Sequence, residues 1–391
     1  MKKALIIFGT RPEAIKMAPV IHAAENSGIE AITCATAQHR EMLDQVNEFF
    51  GITPDYDLNL MQPKQDLFDV TVYCLSRIRQ VLQKVKPDVV LVQGDTTTTF
   101  AAALGAFYER IPVGHIEAGL RTGDISSPFP EEGNRRMVSP LASYHFAPTE
   151  QAMENLMAEN VPSERIFLTG NTSIDALSWG SEQSLVYPEL GKLYGKKPMV
   201  LMTAHRRENF GEPIRNIMAA VRRFFMKRSD LHLIYPVHPN PNVKSVAEEM
   251  LGDIPNVSLI SPVDYSELIF LLRSCQFVLT DSGGLQEEAP TLGKPVLVLR
   301  ETTERPEAVL SGCAELVGHD SDKIIRGLET LSDMSSAKYQ SMSQAVNPFG
   351  DGTAAKQIIR ILERELGAEE PLYSISANSE AGASLPVQMS L

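Results

Sequence analysis

Short apolar runs alternate with longer stretches of helical spacing along most of the chain. In the first half, "ALIIFG", "AITCAT", "DVVLVQGD", "PVGHIEAG", "SYHFAPT" and "RIFLTG" read as strands. The second half repeats the plan with "PMVLMTAH", "LHLIYPVHP", "VSLISPV", "QFVLTDSGG", "KPVLVLR" and "AELVG". Helical patterns lie between them. Over 65–85, for example, Leu67, Thr71, Leu75, Ile78, Leu82 and Val85 fall on one face of 3.6-residue period. The strand runs are continuous and β-branched, as in strands buried on both faces, so the fold class is α/β with parallel sheets covered by helices. A Gly/Lys/Pro-rich break, "GKLYGKKP", precedes the second set of strands. The organisation expected is an N-terminal half over 1–170, a C-terminal half over 171–351, and a last helix over 352–366. The segment 367–391 lacks periodicity, is rich in Ser, Ala and Glu, and is expected to be a disordered tail.

A length of 391 residues with 43% hydrophobic content supports two cores of this kind. A formal net charge of −13 argues against nucleic acid or an anionic membrane as partner, and any anionic substrate needs locally clustered cations. Cys34, Cys74, Cys275 and Cys313 are widely spaced in apolar or helical contexts and read as small buried hydrophobes in a reducing compartment. The N-terminal apolar run is broken by Gly9-Thr10-Arg11-Pro12, too early for a signal peptide, and no stretch approaches membrane-spanning length. The expectation is a soluble cytoplasmic protein.

Open parallel sheets bind ligands at the carboxyl ends of their strands, so the residues just after each strand are the ones to read. In "FGTRPEAIKMAP", Arg11 and Lys16 lie near the positive end of a helix, which suits an anion, or else they are solvated surface charge. In "VQGDTTTT", Asp95 is either a helix N-cap or a carboxylate facing a cleft. In "GHIEAGLRTGDISSPFPEEGNRR", Glu117 ends a strand, and Glu131 and Glu132 precede Arg135 and Arg136 at the spacing of helix-surface ion pairs. "TAHRRENFGEP" and "YPVHPNP" bring His205, Arg206 and His238 to two further strand ends. In "LTDSGGLQEEAP", Ser282, Gly283 and Gly284 form a turn into a helix whose free N–H groups can cradle phosphate, with Glu287 and Glu288 one turn on. Neither GxGxxG nor a P-loop is present in that turn. Two halves of this kind, one with glycines and cations and the other with carboxylates, suit a nucleotide joined to a neutral group such as a sugar.

These motifs, taken in order, resemble the non-hydrolysing UDP-N-acetylglucosamine 2-epimerases of bacteria, over nearly the whole chain to about Leu366. The resemblance rests on "FGTRPEAIKMAPVI", "TAQHREMLDQ", "VQGDTTTT", "GHIEAGLRTG", "PFPEEGNRR", "GNTSIDAL", "HRRENFGEP", "PVHPNP" and "TDSGGLQEEAP". It implies two facing Rossmann-like domains in the GT-B architecture, with the last helix crossing back to the first domain. It implies a reversible reaction between UDP-N-acetylglucosamine and UDP-N-acetylmannosamine. By motif, Asp95, Glu117 and Glu131 match the catalytic carboxylates, and His205 stands with them as a group that also holds the diphosphate. Arg11, Lys16, Ser282, Gly283 and Gly284 match the other diphosphate contacts, and Glu288 the ribose contact. Gln38, Arg206 and His238 match an allosteric site for a second UDP-N-acetylglucosamine, and Glu41 and Lys64 depart from that site's pattern. The resemblance further implies a homodimer and a product that feeds surface polysaccharide.

The chemistry has its own demands. The hydrogen on C2 of the sugar is not acidic, so a carboxylate of ordinary pKa, about 4.3, cannot remove it unaided. Breaking the anomeric C–O bond, with UDP leaving, acidifies it, and the stabilised leaving group calls for cations and helix N–H groups. Inversion needs removal from one face and delivery to the other, hence at least two acid–base groups. Nothing is oxidised, so neither a nicotinamide cofactor nor a metal is expected. The alternatives are a GT-B glycosyltransferase and a hydrolysing epimerase that releases free N-acetylmannosamine.

Overall fold

The computed structural model describes residues 1–37, 40–61 and 65–368. Gln38 and Lys64, the side chain of Glu41, and all but the first two residues of the expected tail lie outside the described residues.

Among the described residues the first half contributes β1 (Lys2–Phe8), β2 (Ile29–Ala35), β3 (Tyr56–Asp57), β4 (Val89–Gln93), β5 (Val113–Ile116), β6 (Tyr144–Ala147) and β7 (Ile166–Leu168). They form one parallel sheet in the order β3-β2-β1-β4-β5-β6-β7. The second half contributes β8 (Met199–Thr203), β9 (His232–Pro236), β10 (Val257–Ile260), β11 (Cys275–Thr280), β12 (Val296–Val298) and β13 (Ala314–Leu316). These form a second parallel sheet, β10-β9-β8-β11-β12-β13. Each apolar run in the sequence is therefore a strand. The residue-by-residue burial of β1 (Ala4 to Phe8) and β4 (Val89 to Gln93) is what a sheet covered on both faces requires. Only the two-residue β3 escaped the pattern, being too short to show a period.

In each sheet the strand order reverses between two central neighbours, β1 and β4 in one and β8 and β11 in the other. A crevice opens there because the following helices leave on opposite faces.

The helix Thr172–Glu182 packs against elements of both halves: Arg11–Glu25 on one side, Tyr265–Ser274 and Gly283–Glu288 on the other. Gly180 allows this approach. A Cβ there would collide with Ile269 and press on Phe49. Trp179 stacks on His22 at 5.6 Å and meets Phe49 and Phe50, and both phenylalanines in turn meet Tyr265. A single apolar core consequently runs from one half into the other.

The helix Leu67–Val85 departs from expectation in one respect. Its last turns bury Cys74, Ile78, Val81, Leu82 and Val85, but its first turns expose Leu67, Phe68, Val72 and Tyr73. The expected single face is thus half core and half surface. The break expected at 191–198 also carries a short helix, Pro188–Tyr194, begun by proline at its first position.

The last helix, Ala354–Gly367, returns to pack on Arg11–Glu25. Its start is held by Asp175, whose carboxylate accepts from the N–H groups of Ala354 at 3.2 Å and Ala355 at 2.9 Å. Burial pushes the Asp175 carboxyl up to about 6, against the pull of those two donors. Asp175→Ala leaves two buried N–H groups without this acceptor, so we expect a loss of about 1–3 kcal/mol of stability, read by urea unfolding at pH 7.5. A variant as stable as the parent would show that Asp175 does not secure the crossing helix.

Candidate active site

The crevices of the two sheets face each other across one cavity of about 430 Å³. Its N-terminal wall is built from three strand ends. After β1, Gly9 lies so close to the Thr36 and Thr98 hydroxyls that a side chain there would collide with both. Thr10 then caps the helix Arg11–Glu25 in a capping box with Glu13. Glu13 is 2% exposed. Its carboxylate accepts from the N–H groups of Gly9 (2.9 Å) and Thr10 (2.7 Å) and from the hydroxyls of Thr96 (2.6 Å) and Thr99 (3.0 Å). One buried carboxylate thereby ties the turn after β1 to the turn after β4, and fixes Arg11 and Lys16 relative to Asp95.

After β4, Thr96 caps the helix Thr97–Tyr108. Asp95 is not the cap; it pairs with Arg135. After β5, Glu117 has a φ of 64°, a left-handed backbone that side-chain-bearing residues rarely adopt and that gathers at functional positions. Its carboxylate accepts from Gln93 at 2.7 Å and pairs with Lys16. Burial raises the Glu117 pKa, Lys16 opposes the rise, and Glu287 adds to it. His115, one residue from the end of β5, lies inside the sheet with Nε2 2.7 Å from the Gly94 carbonyl, and burial pushes its pKa down to about 4. Glu131 begins the helix Glu131–Val138 and lines the cavity.

Glu132 corrects the surface-charge reading. It is fully buried, bonded to Arg135 at 3.2 Å, Arg136 at 2.9 Å and the Thr122 N–H at 3.1 Å. The expected i,i+4 pair with Arg136 forms. Among the described residues Arg135 makes its ion pairs with Asp95 and Glu132 rather than with Glu131.

The C-terminal wall repeats the device seen at Glu13. Asp281, fully buried after β11, accepts at 2.8 Å from the N–H groups of both His205 and Arg206, and at 3.0 Å from Asn209. The turns after β8 and β11 are tied together in this way. The His205 ring stacks on His238 with centroids 5.7 Å apart, and burial lowers its pKa. Ser282, Gly283 and Gly284 open the helix Gly283–Glu288 toward the cavity. A Cβ at Gly283 would press on the Arg305 guanidinium, which would have to shift. The two adjacent glutamates part company. Glu288 faces the cavity beside Tyr265, whose hydroxyl donates to it at 3.3 Å, whereas Glu287 turns away to Arg305 and Ser173.

Arg11, Lys16, Asp95, Glu117, Glu131, Arg206, Ser282, Gly283, Gly284 and Glu288 therefore surround one space. His205 and His238 form a stacked pair and are not among the residues that line this space, although Arg206 is. The expected allosteric residue Gln38 lies outside the described residues. A family model described as UDP-N-acetylglucosamine 2-epimerase matches residues 22–363. The chain is 52% identical over 370 residues to the Salmonella typhimurium UDP-N-acetylglucosamine 2-epimerase, covering 92% of this chain and 98% of that one.

The chain belongs to the UDP-N-acetylglucosamine 2-epimerase family. It is similar to the crystal structure of the Neisseria meningitidis UDP-GlcNAc 2-epimerase bound to UDP-GlcNAc, with 48% identity, a TM-score of 0.87, and coverage of 93% of this chain and 100% of that one. It is likewise similar to the S. aureus MnaA structure with UDP, with 47% identity, a TM-score of 0.87, and coverage of 95% and 99%. As a member of this epimerase family it is an isomerase, and the two facing sheets are the GT-B arrangement.

Several cavity groups escaped sequence reasoning: Glu13, Gln93, Tyr265, Glu304 and above all Arg305. Arg305 lies seven residues past the end of β12 and beyond the "KPVLVLR" run, so reading only the residues just after the strand does not reach it. Arg305 pairs with Glu287 at 2.8 Å and Glu304 at 3.1 Å, and its Nη2 is 3.9 Å from Glu117. Burial alone would raise the Glu304 carboxyl, but Arg305, Arg300 and Arg206 hold it down at about 2.

Burial, and then the charge of Glu287, push Glu288 up to about 8. Over the range from the ordinary 4.5 to about 8, the folded protein keeps a proton that the unfolded chain releases. The stability linked to this proton is complete below that range. It is lost as pH rises through it, by up to about 1.4 kcal/mol per pH unit. Glu288→Gln abolishes the loss, so urea unfolding should favour the variant over the parent more at pH 8 than at pH 5. An equal difference at both pH values would refute the assignment.

Proposed function

We propose that the protein interconverts UDP-N-acetylglucosamine and UDP-N-acetylmannosamine by elimination and re-addition of UDP. One carboxylate takes the C2 proton as the C1–O electron pair leaves with UDP, and a C1=C2 double bond forms in a glycal. A second carboxylate delivers a proton to the opposite face of C2, and a UDP oxygen adds back to C1. The observation that carries this reading is that Asp95, Glu117 and Glu131, from three separate chain segments, line the same cavity as the Ser282–Gly284 turn. One rigid group cannot serve both faces of C2, and this arrangement supplies more than one. The raised pKa of Glu117 suits a group that must both take and give a proton near neutral pH.

In this reading Arg11, Lys16, His205 and the Ser282–Gly284 N–H groups hold the diphosphate and stabilise it as leaving group. Glu288 takes the ribose hydroxyls. The proposed domains are 1–170 with 352–366, and 171–351. The product is an activated amino sugar, the form in which sugars are passed to a growing surface polysaccharide. Four buried, unpaired cysteines fit a reducing cytoplasm as the working compartment.

Incubation with UDP-N-acetylglucosamine in D2O should place deuterium at C2 of both epimers with UDP still attached, followed by NMR. Free sugar accumulating, or no exchange, would replace the reading with hydrolysis or glycosyl transfer. Glu117→Gln and Glu131→Gln should each lower turnover at least about a hundredfold while still binding UDP.

A homodimer is part of the proposal. Phe68, Val72 and Tyr73 on Leu67–Val85, with Phe107 and Tyr108 on the adjoining helix Thr97–Tyr108, expose large apolar side chains together. Such a patch suits burial against a second copy of the chain. Tyr108→Glu should shift sedimentation from dimer to monomer; an unchanged profile assigns this face no part in assembly.

A further inference from the structure

Glu287 is 1% exposed and is not among the residues that line the cavity. It nevertheless holds two cations that do line it. Arg305 Nε donates to Glu287 Oε1 at 2.8 Å, and Lys16 Nζ lies 3.4 Å from Glu287 Oε2. The same two cations also contact Glu117: Lys16 pairs with it from within the same half, and Arg305 reaches over from the other half, its Nη2 3.9 Å from Glu117 Oε1. Two carboxylates, one from each half, thus share one ammonium and one guanidinium. Ser173, on the helix between the halves, donates to Glu287 at 3.1 Å and holds it in place.

We propose that Glu287 is a positioning residue for the acid–base carboxylate Glu117, acting by holding Lys16 and Arg305 from the far side of the cleft. The proposal rests on the reading of Glu117 as an acid–base group. The groups facing Glu117 are Lys16 from the first helix, the neutral amide of Gln93 from β4, Arg305 from the loop after β12, and Glu287 behind the two cations. Glu304 takes part of the Arg305 charge at 3.1 Å. A mere structural bridge between the halves is the plain alternative, but a buried ion pair is weak evidence of stabilisation. It would also require no sharing with Glu117. Without the Glu287 charge Lys16 falls to Glu117 alone, and Arg305 is shared only between Glu304 and Glu117. Its ionised form is then stabilised, it becomes a poorer base, and Lys16 is less free to meet a diphosphate.

The test follows the Glu117 carboxyl directly, by 13C NMR of protein labelled at glutamate carboxyls, with its signal assigned by loss in Glu117→Gln. In Glu287→Gln the Glu117 signal should titrate about one pH unit or more lower. The limb of the kcat–pH profile that belongs to Glu117 should move the same way. Turnover should fall about tenfold or more, with a smaller change in KM. Glu287→Asp keeps the charge and shortens the reach, so it should fall between the two and serves where the glutamine variant does not fold. An unmoved Glu117 titration in both variants overturns the proposal while leaving the Glu117 reading intact. Normal turnover of Glu117→Gln overturns that reading itself, and the positioning role with it.

Discussion

Lys16, Glu117, Glu287 and Arg305 meet almost without access to water, and that shared charge constrains how the two halves can face each other. Taking four charges out of water is expensive, and their mutual attraction offsets the cost only when the geometry is close and the remaining lone pairs are satisfied. Here Gln93, Ser173 and Glu304 supply those remaining partners. Two of the charged groups come from each half, so neither half can hold the cluster by itself. The apolar packing of Phe49, Phe50, Trp179 and Tyr265 brings the halves together, and the charge cluster sets the alignment.

Within each half a second buried carboxylate does the local alignment. Glu13 binds the turns after β1 and β4, and Asp281 binds the turns after β8 and β11. Both sit where their sheet reverses its strand order. The crevice that parallel topology opens is, by itself, only a gap between two loops. An acceptor reaching N–H groups on both sides converts it into a wall of fixed geometry, which preorganised electrostatics needs.

The strands were legible because burial on both faces leaves unbroken apolar runs, which no loop imitates. The strand-end rule then singled out Asp95, Glu117 and Ser282 without any contact information, while Glu131, which begins a helix, was reached through the motif resemblance. What it missed has a physical cause. Asp95 is a good helix cap in sequence, and only the fold shows that the following threonine, Thr96, caps while the aspartate meets Arg135. Glu132 has the spacing of a surface ion pair, and spacing says nothing of depth; the Thr122 N–H and two arginines cover it. Glu287 and Glu288 are neighbours in a short helix, about 100° apart around its axis, so one meets the cavity and the other the cations. Arg305 sits in a loop whose motif carries no glycine turn to attract notice, and its importance comes from partners at Glu117 and Glu287 that lie far away in sequence.

The left-handed backbone at Glu117 fits this picture. A strand that continued normally would carry its side chain on along the sheet, whereas the φ of 64° ends the strand and accompanies the contacts to Lys16 and Gln93. Such strain persists only where the surroundings over-determine it, and the partners of Glu117 come from four separate segments: the first helix, β4, the helix Gly283–Glu288 acting through the shared cations, and the loop that bears Arg305. The carboxylate is thus held near its cations yet buried enough for its pKa to rise, two tendencies that oppose each other. Acid–base work at neutral pH needs that opposition. Pairing alone would leave a carboxylate too weakly basic, and burial alone would leave it uncharged.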